Sequence, residues 1–541
     1  MATVPGDHQD EQTSREQLLE SGQSVSAVVR TTLGPNGHDK MLVGEKGKVL
    51  VTNDGARILE RIEISDPVGR AVVRAAGSQR QAVGDGTTTT VVLTGALLSR
   101  AGSLLDEGVH PTTVIDGFHE ATGVARDRLR ETATAVDRSD RALLEDIAKT
   151  TVTGRWDEAN TDRFAELTVS GLQAVGFDRS KLGVEAYPGG ELGDSELVDG
   201  LLIDMETSPA TVDDLGSGNR TVPEPRVAMV NSEITIEKPD AVASVTLERS
   251  EQAERLRSHE QSVREEAVAT ITGADVDVLF CQKSIDDTVR NSLFRAGVLA
   301  VERTRQDQFD AICRATGARA VQSIDQLIPE AVGHAGSVRR RTVGQTETLQ
   351  VVDCPLETQR TLLLRGGTPH VAEETERIVE ECSETVQLAL RDGVVVPGGG
   401  ASAMALSREV AHHASGVADR THLVIEAFTD ALEQIPGVLA TNAGRDPIDT
   451  LTTLRSRHAA GDRTAGIAGT GEVVGMIDAG IVEPHAVFDR SLVIALEAAS
   501  MILRIDEVVS TPSKETEQGD ATRARGHGGP DSGGYPWAIS H

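Results

Sequence analysis

Gly84-Asp85-Gly86-Thr87-Thr88-Thr89-Thr90 separates two stretches with helical patterning, at 68–80 and at 88–106. Its two glycines let the backbone take positive φ and come close to a ligand. Amides freed by such a turn can form an anion nest. Asp85 offers a hard oxygen suited to Mg2+. Gly86, Thr87, Thr88 and Thr89 would present amides and hydroxyls to phosphate oxygens. Val91-Val92-Leu93 then opens an apolar helical run, so a phosphate would meet the positive end of a helix. The plain alternative is a flexible Gly/Thr turn ahead of a helix, because short glycine motifs also arise by chance. No Gly-Lys-Ser/Thr follows, so this is not a Walker A loop.

Outward from that turn, the first and last thirds of the chain read as mainly helical. Apolar residues recur at helical spacing over 16–32, with Leu18, Leu19, Val25, Val28 and Val29 on one stripe. Residues 403–415, 422–433 and 490–504 behave alike. The middle differs. Arg226 to Val230, Val276 to Phe280 and Val298 to Val301 read as strands separated by helical stretches, which points to an α/β unit. Leu362-Leu363-Leu364 reads as a strand leaving that unit.

The 541 residues exceed one ordinary core and predict two or three domains. Lys and Arg total 53 against 84 Asp and Glu, a formal net charge of −31. Such a balance repels nucleic-acid phosphates. An acidic, solvated surface of this kind stays soluble in concentrated salt, where self-repulsion is screened. A salt-loving host is therefore expected. Cys281, Cys313, Cys354 and Cys382 form no Cys-x-x-Cys pair, so isolated thiols in a reducing cytosol are expected rather than zinc or disulfides. Met1 to Glu20 lacks the apolar core of a signal peptide, and no run approaches bilayer length. No membrane partner and a cytoplasmic location follow as expectations.

Further segments accompany the glycine turn in a fixed order. They are Thr31-Thr32-Leu33-Gly34-Pro35-Asn36-Gly37, Val51-Thr52-Asn53-Asp54-Gly55-Ala56, Val395-Val396-Pro397-Gly398-Gly399-Gly400-Ala401, Ile435 to Pro447, and Glu497 to Val509. Together, over about residues 15–510, they resemble the signature segments of the group II chaperonins, the thermosome family of archaea and its eukaryotic cytosolic relatives. With the acidic composition, the chain is similar to a divergent, haloarchaeal-type thermosome subunit.

The resemblance implies a multidomain fold of α plus α/β character. A helical equatorial domain would take 1–142 and 395–512. A small intermediate domain would take 143–206 and 361–394. An α/β apical domain would take 207–360, with a built-in lid protrusion at 246–268. Leu247, Ala253 and Leu256 are the main apolar residues of that charged stretch; a merely solvated helix is its alternative reading. The tail 513–541 is polar and Gly-rich, reads as disordered, and His527 within it is incidental.

The resemblance also implies ATP and Mg2+ as cofactors, with K+ as a further candidate. Asp85 would be the Mg2+ ligand. Leu33, Gly34 and Pro35 would supply backbone around the α- and β-phosphates. Gly399 and Gly400 would allow close approach to the ribose, and Glu483 would accept from its hydroxyls. Asp54 would stand beside the attacking water. Glu381 would be the second water-orienting acid, at a position where the family normally carries Asp. Asn36 stands where the family has Lys, and Arg155 replaces another Lys while keeping positive charge as a planar fork.

The expected function is an ATP-dependent chaperone subunit that encloses unfolded protein clients. By resemblance it would join self or paralogous subunits in rings of about eight, stacked in pairs, without a separate lid co-chaperonin. One alternative is a nucleotide-binding structural subunit with weak turnover, active in mixed rings. A small-molecule ATP-using transferase is disfavoured, because no second substrate constellation is evident.

Overall fold

The computed structural model describes residues 8–44, 49–205, 221–235 and 250–505. The expected tail at 513–541, residues 246–249 of the charged insertion and Glu507 to Val509 lie outside them.

Among the described residues, the chain packs in three regions, each around its own buried apolar clusters. The first joins the two ends of the sequence. Helices His8–Val29, Pro67–Val83, Thr87–Asp106 and Pro111–Glu131 pack with Ala401–Ala414, Thr421–Leu432 and His485–Leu503. Thr87–Asp106 is the central element. Val91, Val92, Leu93, Ala96, Leu97, Leu98 and Ala101 are all buried, on every side of it, as expected of a helix that is apolar all round. Gly95 lets the first helix come close: a Cβ there would stand 2.4 Å from Ser26 Cβ. Truncating Leu97 to Ala in such a core costs about 2–5 kcal/mol.

The second core lies between helices Arg141–Val152, Glu158–Ala174 and Pro369–Asp392 and a three-stranded sheet. Strand Arg360–Gly366 is central there, parallel to Leu182–Pro188 and antiparallel to Glu196–Asp199. The Leu362-Leu363-Leu364 run thus forms a strand that has left the α/β unit, as its sequence predicted.

The third region is that α/β unit. Strands Leu299–Val301, Val278–Cys281 and Arg226–Val230 run parallel, and Gly333–His334 adds an antiparallel edge. Successive strand residues face opposite sides. Val227, Met229, Val278 and Phe280 enter one cluster, and Ala228, Val230, Leu279 and Cys281 enter another. Both faces are covered, which explains why these strands read as continuous apolar runs. Beside them lies an antiparallel sheet in the order Leu201–Asp204, Thr346–Val352, Ser337–Val343, Thr221–Pro223. The charged insertion includes a helix, Ser250–Gly273.

The predicted helix at 490–504 begins earlier, at His485. Pro484 supplies the fixed φ that a helix start tolerates, so Val487, Phe488 and Leu492 extend the same buried face. All four cysteines are free thiols. Burial pushes Cys281 and Cys382 up to about 12, so they stay protonated and unreactive near neutral pH.

Candidate active site

Gly84 and Gly86 bracket Asp85 with two left-handed residues, at φ 76° and 77°. Gly84 ends the Pro67–Val83 helix and Gly86 caps the Thr87–Asp106 helix. A Cβ on Gly86 would fall 2.8 Å from both Gln79 and Val487, so glycine is required for conformation and for space. Buried side chains fix the turn from beneath. Gln79 Nε2 donates to the Asp85 carbonyl at 2.9 Å and to the Val487 carbonyl at 3.1 Å. Thr90 Oγ1 donates to the Gly86 carbonyl at 2.9 Å.

A second glycine turn faces the first. Strand Val394–Pro397 pairs with Val482–Pro484, setting Val396 opposite Glu483. Gly399 and Gly400 follow at φ 57° and 75°, and Gly400 caps the Ala401–Ala414 helix. Two helix N-termini therefore open on one cleft, each with unpaired amides and a partial positive charge. Leu33, Gly34 and Pro35 close a third side, and Asn442 Nδ2 donates to the Leu33 carbonyl at 2.9 Å. Asn36 turns to the Gly469 carbonyl at 2.7 Å. Asn36 therefore links two loops of the cleft.

On the remaining side the Pro369–Asp392 helix brings Glu381 and Thr385 to the cleft, and its Arg377 and Glu374 tie it to neighbouring elements. Asp54 caps the Gly55–Arg61 helix, accepting from Ala56 N at 2.9 Å through Oδ1. Its other oxygen accepts from Arg377 Nη1 at 3.0 Å. The same nitrogen donates to Glu381 Oε1 at 2.6 Å. Arg377 Nη2 reaches Glu374 at 2.5 Å, and Arg57 Nη1 reaches Glu374 at 2.7 Å. Arg80 bridges Glu381 at 3.5 Å and Glu60 at 3.2 Å. Arg155 donates to Asn53 Oδ1.

The cleft holds about 290 Å3. Leu33, Gly34, Pro35, Asp54, Asp85, Gly86, Thr87, Thr88, Thr89, Arg155, Glu381, Gly399, Gly400 and Glu483 all line it. These fourteen candidate site residues are thus brought to one place, while Asn36 does not line the cleft. A wider cleft of about 860 Å3 lies alongside, lined by Arg138, Arg179 and Arg391, and shares Arg80 and Gly84 with the first.

Electrostatically, loss of hydration works against the charged form of three acids in the cleft. Asp85 is exposed to the cleft, yet the protein crowded around its carboxyl displaces water and raises it despite the Gly86 amide and Arg155. Burial, reinforced by Asp85, pushes Glu483 up to about 8. Burial also raises Glu381 against the opposing pull of Arg377. A divalent cation at Asp85 would relieve the first two. No group of three or more His, Cys, Asp or Glu among the described residues could hold a metal alone. That donor set fits Mg2+, which is commonly held by one or two carboxylates plus substrate phosphates.

Sequence reasoning missed Arg377, Gln79 and Glu374. Arg377 stands four residues before Glu381, one helical turn, so i,i+4 pairing was a usable signal. Gln79 was visible as a polar residue at the end of a helix meeting the glycine turn. Nothing in the sequence marks Glu374 as a partner of Arg57, since 317 residues separate them.

Residues 25–513 match the TCP-1/cpn60 chaperonin family. A thermosome subunit of Methanopyrus kandleri is 41% identical over 495 residues, covering 90% of each chain. Thermosome subunit 1 of Haloferax volcanii is 38% identical over 98% of this chain and 93% of its own. The thermosome subunit alpha of Halobacterium salinarum is 38% identical over 91% of this chain and 87% of its own. The last two come from salt-loving archaea, in keeping with the acidic composition. The chain belongs to the TCP-1/cpn60 chaperonin family, among its group II members.

Proposed function

We propose that this cleft is where the chain, an ATP-dependent chaperonin subunit, binds and cleaves ATP to assist the folding of enclosed proteins. The observation carrying the assignment is the convergence on one cleft of segments drawn from both ends of the sequence and from the Pro369–Asp392 helix. Phosphoryl transfer asks a protein for positioning and charge stabilisation rather than covalent chemistry, and these residues offer both.

Gly86, Thr87, Thr88 and Thr89 bind the β- and γ-phosphates at the helix N-terminus. Leu33, Gly34 and Pro35 hold the chain close to the α- and β-phosphates. Gly399 and Gly400 take the ribose side, where Glu483 accepts from hydroxyls. Asp85 is the Mg2+ ligand; the metal, when bound, neutralises phosphate charge. Arg155 adds positive charge near Asp85. Asp54 and Glu381 orient the attacking water and take its proton. Glu381 belongs to a different core from Asp85 and Asp54, so movement of the Pro369–Asp392 helix completes or opens the site.

The domain division at 1–142 with 395–512, 143–206 with 361–394, and 207–360 is part of the same proposal. The separate packing regions support it, with strand Leu201–Asp204 joining the sheet of the third region. Subunits assemble in rings of this chain or its paralogues, with the 246–268 insertion serving as lid. The hairpin of Lys40–Val43 and Val49–Thr52 supports assembly. Met41 and Val43 are each 67% exposed there and Val49 is 56% exposed, and an uncovered apolar edge of this kind invites another chain. Among the described residues, no helix is long and apolar enough to cross a membrane.

The test is phosphate release, together with refolding of a denatured client, by the purified protein at high salt with Mg-ATP. Turnover coupled to client recovery is expected. Absence of turnover across salt and Mg2+ conditions would reduce the chain to a nucleotide-binding structural subunit.

A further inference from the structure

Arg377, beside the cleft, makes four side-chain hydrogen bonds to three carboxylates. Its side chain is 13% exposed and its Asp54 partner 11%. One nitrogen, Nη1, serves both Asp54 at 3.0 Å and Glu381 at 2.6 Å. The other side of the fork holds Glu374, through Nη2 at 2.5 Å and Nε at 3.2 Å. Asp54 and Glu381 come from different cores, 327 positions apart in sequence order. Two carboxylate oxygens held on one nitrogen at these distances are near enough to share a single bridging water.

We infer that Arg377 is a positioning residue for hydrolysis: it sets the separation of Asp54 and Glu381 and ties the Pro369–Asp392 helix to the nucleotide cleft. This rests on the reading of those two acids given above. A guanidinium suits the task because its planar fork engages several carboxylates in fixed directions, whereas an ammonium is a single point charge. Around it, Arg57 on Glu374 and Arg80 on Glu381 and Glu60 extend the pairing to the Gly55–Arg61 and Pro67–Val83 helices. Arg155 adds positive charge near Glu374. Without Arg377, Asp54 and Glu381 would face each other with Arg80 alone close to Glu381, and like charges at short range resist joint ionisation. Burial and Asp54 already push Glu381 upward, and Arg377 is the largest opposing influence.

The experiment compares assembled wild-type protein with Arg377→Met, Arg377→Lys, Asp54→Asn and Glu381→Gln at high salt. Nucleotide affinity is read with a fluorescent ATP analogue, and kcat and KM for ATP are measured across pH. For Arg377→Met, we expect near-wild-type affinity, a kcat reduced about a hundredfold, and an acidic limb of the pH–rate profile displaced upward by about one pH unit. Arg377→Lys should recover part of kcat and part of the displacement. If Arg377→Met does not assemble, the lysine variant decides: a wild-type kcat and acidic limb in it overturn the inference. A lower kcat with an unmoved acidic limb in Arg377→Met also overturns it, because that is the mark of a merely structural residue. Wild-type turnover in Asp54→Asn and Glu381→Gln would instead remove the reading of the two acids, and the inference with it.

Discussion

The two walls of the cleft proposed for ATP are made of different material. One consists of glycine turns and helix N-termini at Gly84–Thr89, Gly399–Gly400 and Leu33–Pro35, fixed by buried groups such as Gln79 and Ser491. Its chemistry is carried largely by backbone amides and short hydroxyls, held in place by a closely packed core. The other is the face of the Pro369–Asp392 helix, where Glu374, Arg377 and Glu381 meet Arg57, Asp54 and Arg80 through charged side chains. The contrast teaches how one site can be both rigid and responsive. A backbone wall binds without reorganising, whereas an ion-paired wall can part and re-form as salt, pH and ligand charge change.

Several substitutions would sharpen or break that contrast. The largest effect is expected for Asp85→Ala, which removes the one carboxylate held between the two glycines. Protection of the 246–268 insertion from protease by Mg-ATP should be lost completely. Protection equal to wild type would place the metal on other residues.

Next in size, Glu381→Ala should retain nucleotide binding, because the backbone wall is intact, while turnover falls about 10²–10⁴-fold. Phosphate release under single-turnover conditions is the direct readout. Turnover at the wild-type rate would place the second acid elsewhere and erase the functional difference between the walls.

A smaller effect is expected at Glu483. With its carboxyl pushed up to about 8 by burial and by Asp85, it is protonated in the free protein at neutral pH. A cation arriving at Asp85 favours the ionised form, so Mg-nucleotide binding should release a proton near pH 7, less as pH rises through about 8, and none well above it. Calorimetry in buffers of different ionisation enthalpy measures that proton. Glu483→Gln should abolish it, and an unchanged release in that variant would assign the proton to another group.

The same contrast explains what was legible in the sequence. The backbone wall depends on local signals: glycines needing positive φ, and hydroxyl residues opening an apolar helix. Gly86 therefore stands out in the amino-acid sequence alone, Gly400 through a family pattern, and the middle strands through continuous apolar runs that reflect burial on both faces. The ion-paired wall depends on contacts between distant segments. Glu381 is reached by counting along a family pattern, but its link to Asp54 through Arg377 is a property of the fold. Gln79 shows the same limit, since its bonds to the Val487 carbonyl and Ser491 join residues about four hundred positions apart. The early start of the last helix, at His485, escapes the sequence pattern because Pro484 reads as a breaker although it serves there as a start.

The central claim is that separate stretches of chain form one Mg-ATP site whose chemistry is completed from the Pro369–Asp392 helix. The most direct measurement is an electron-microscopy structure of the assembled particle with Mg2+, ADP and a planar γ-phosphate mimic. The account predicts metal density at Asp85, the mimic against Gly86 to Thr89, and a water between Asp54 and Glu381. Nucleotide bound elsewhere, or a mimic whose attacking side faces neither acid, would contradict it.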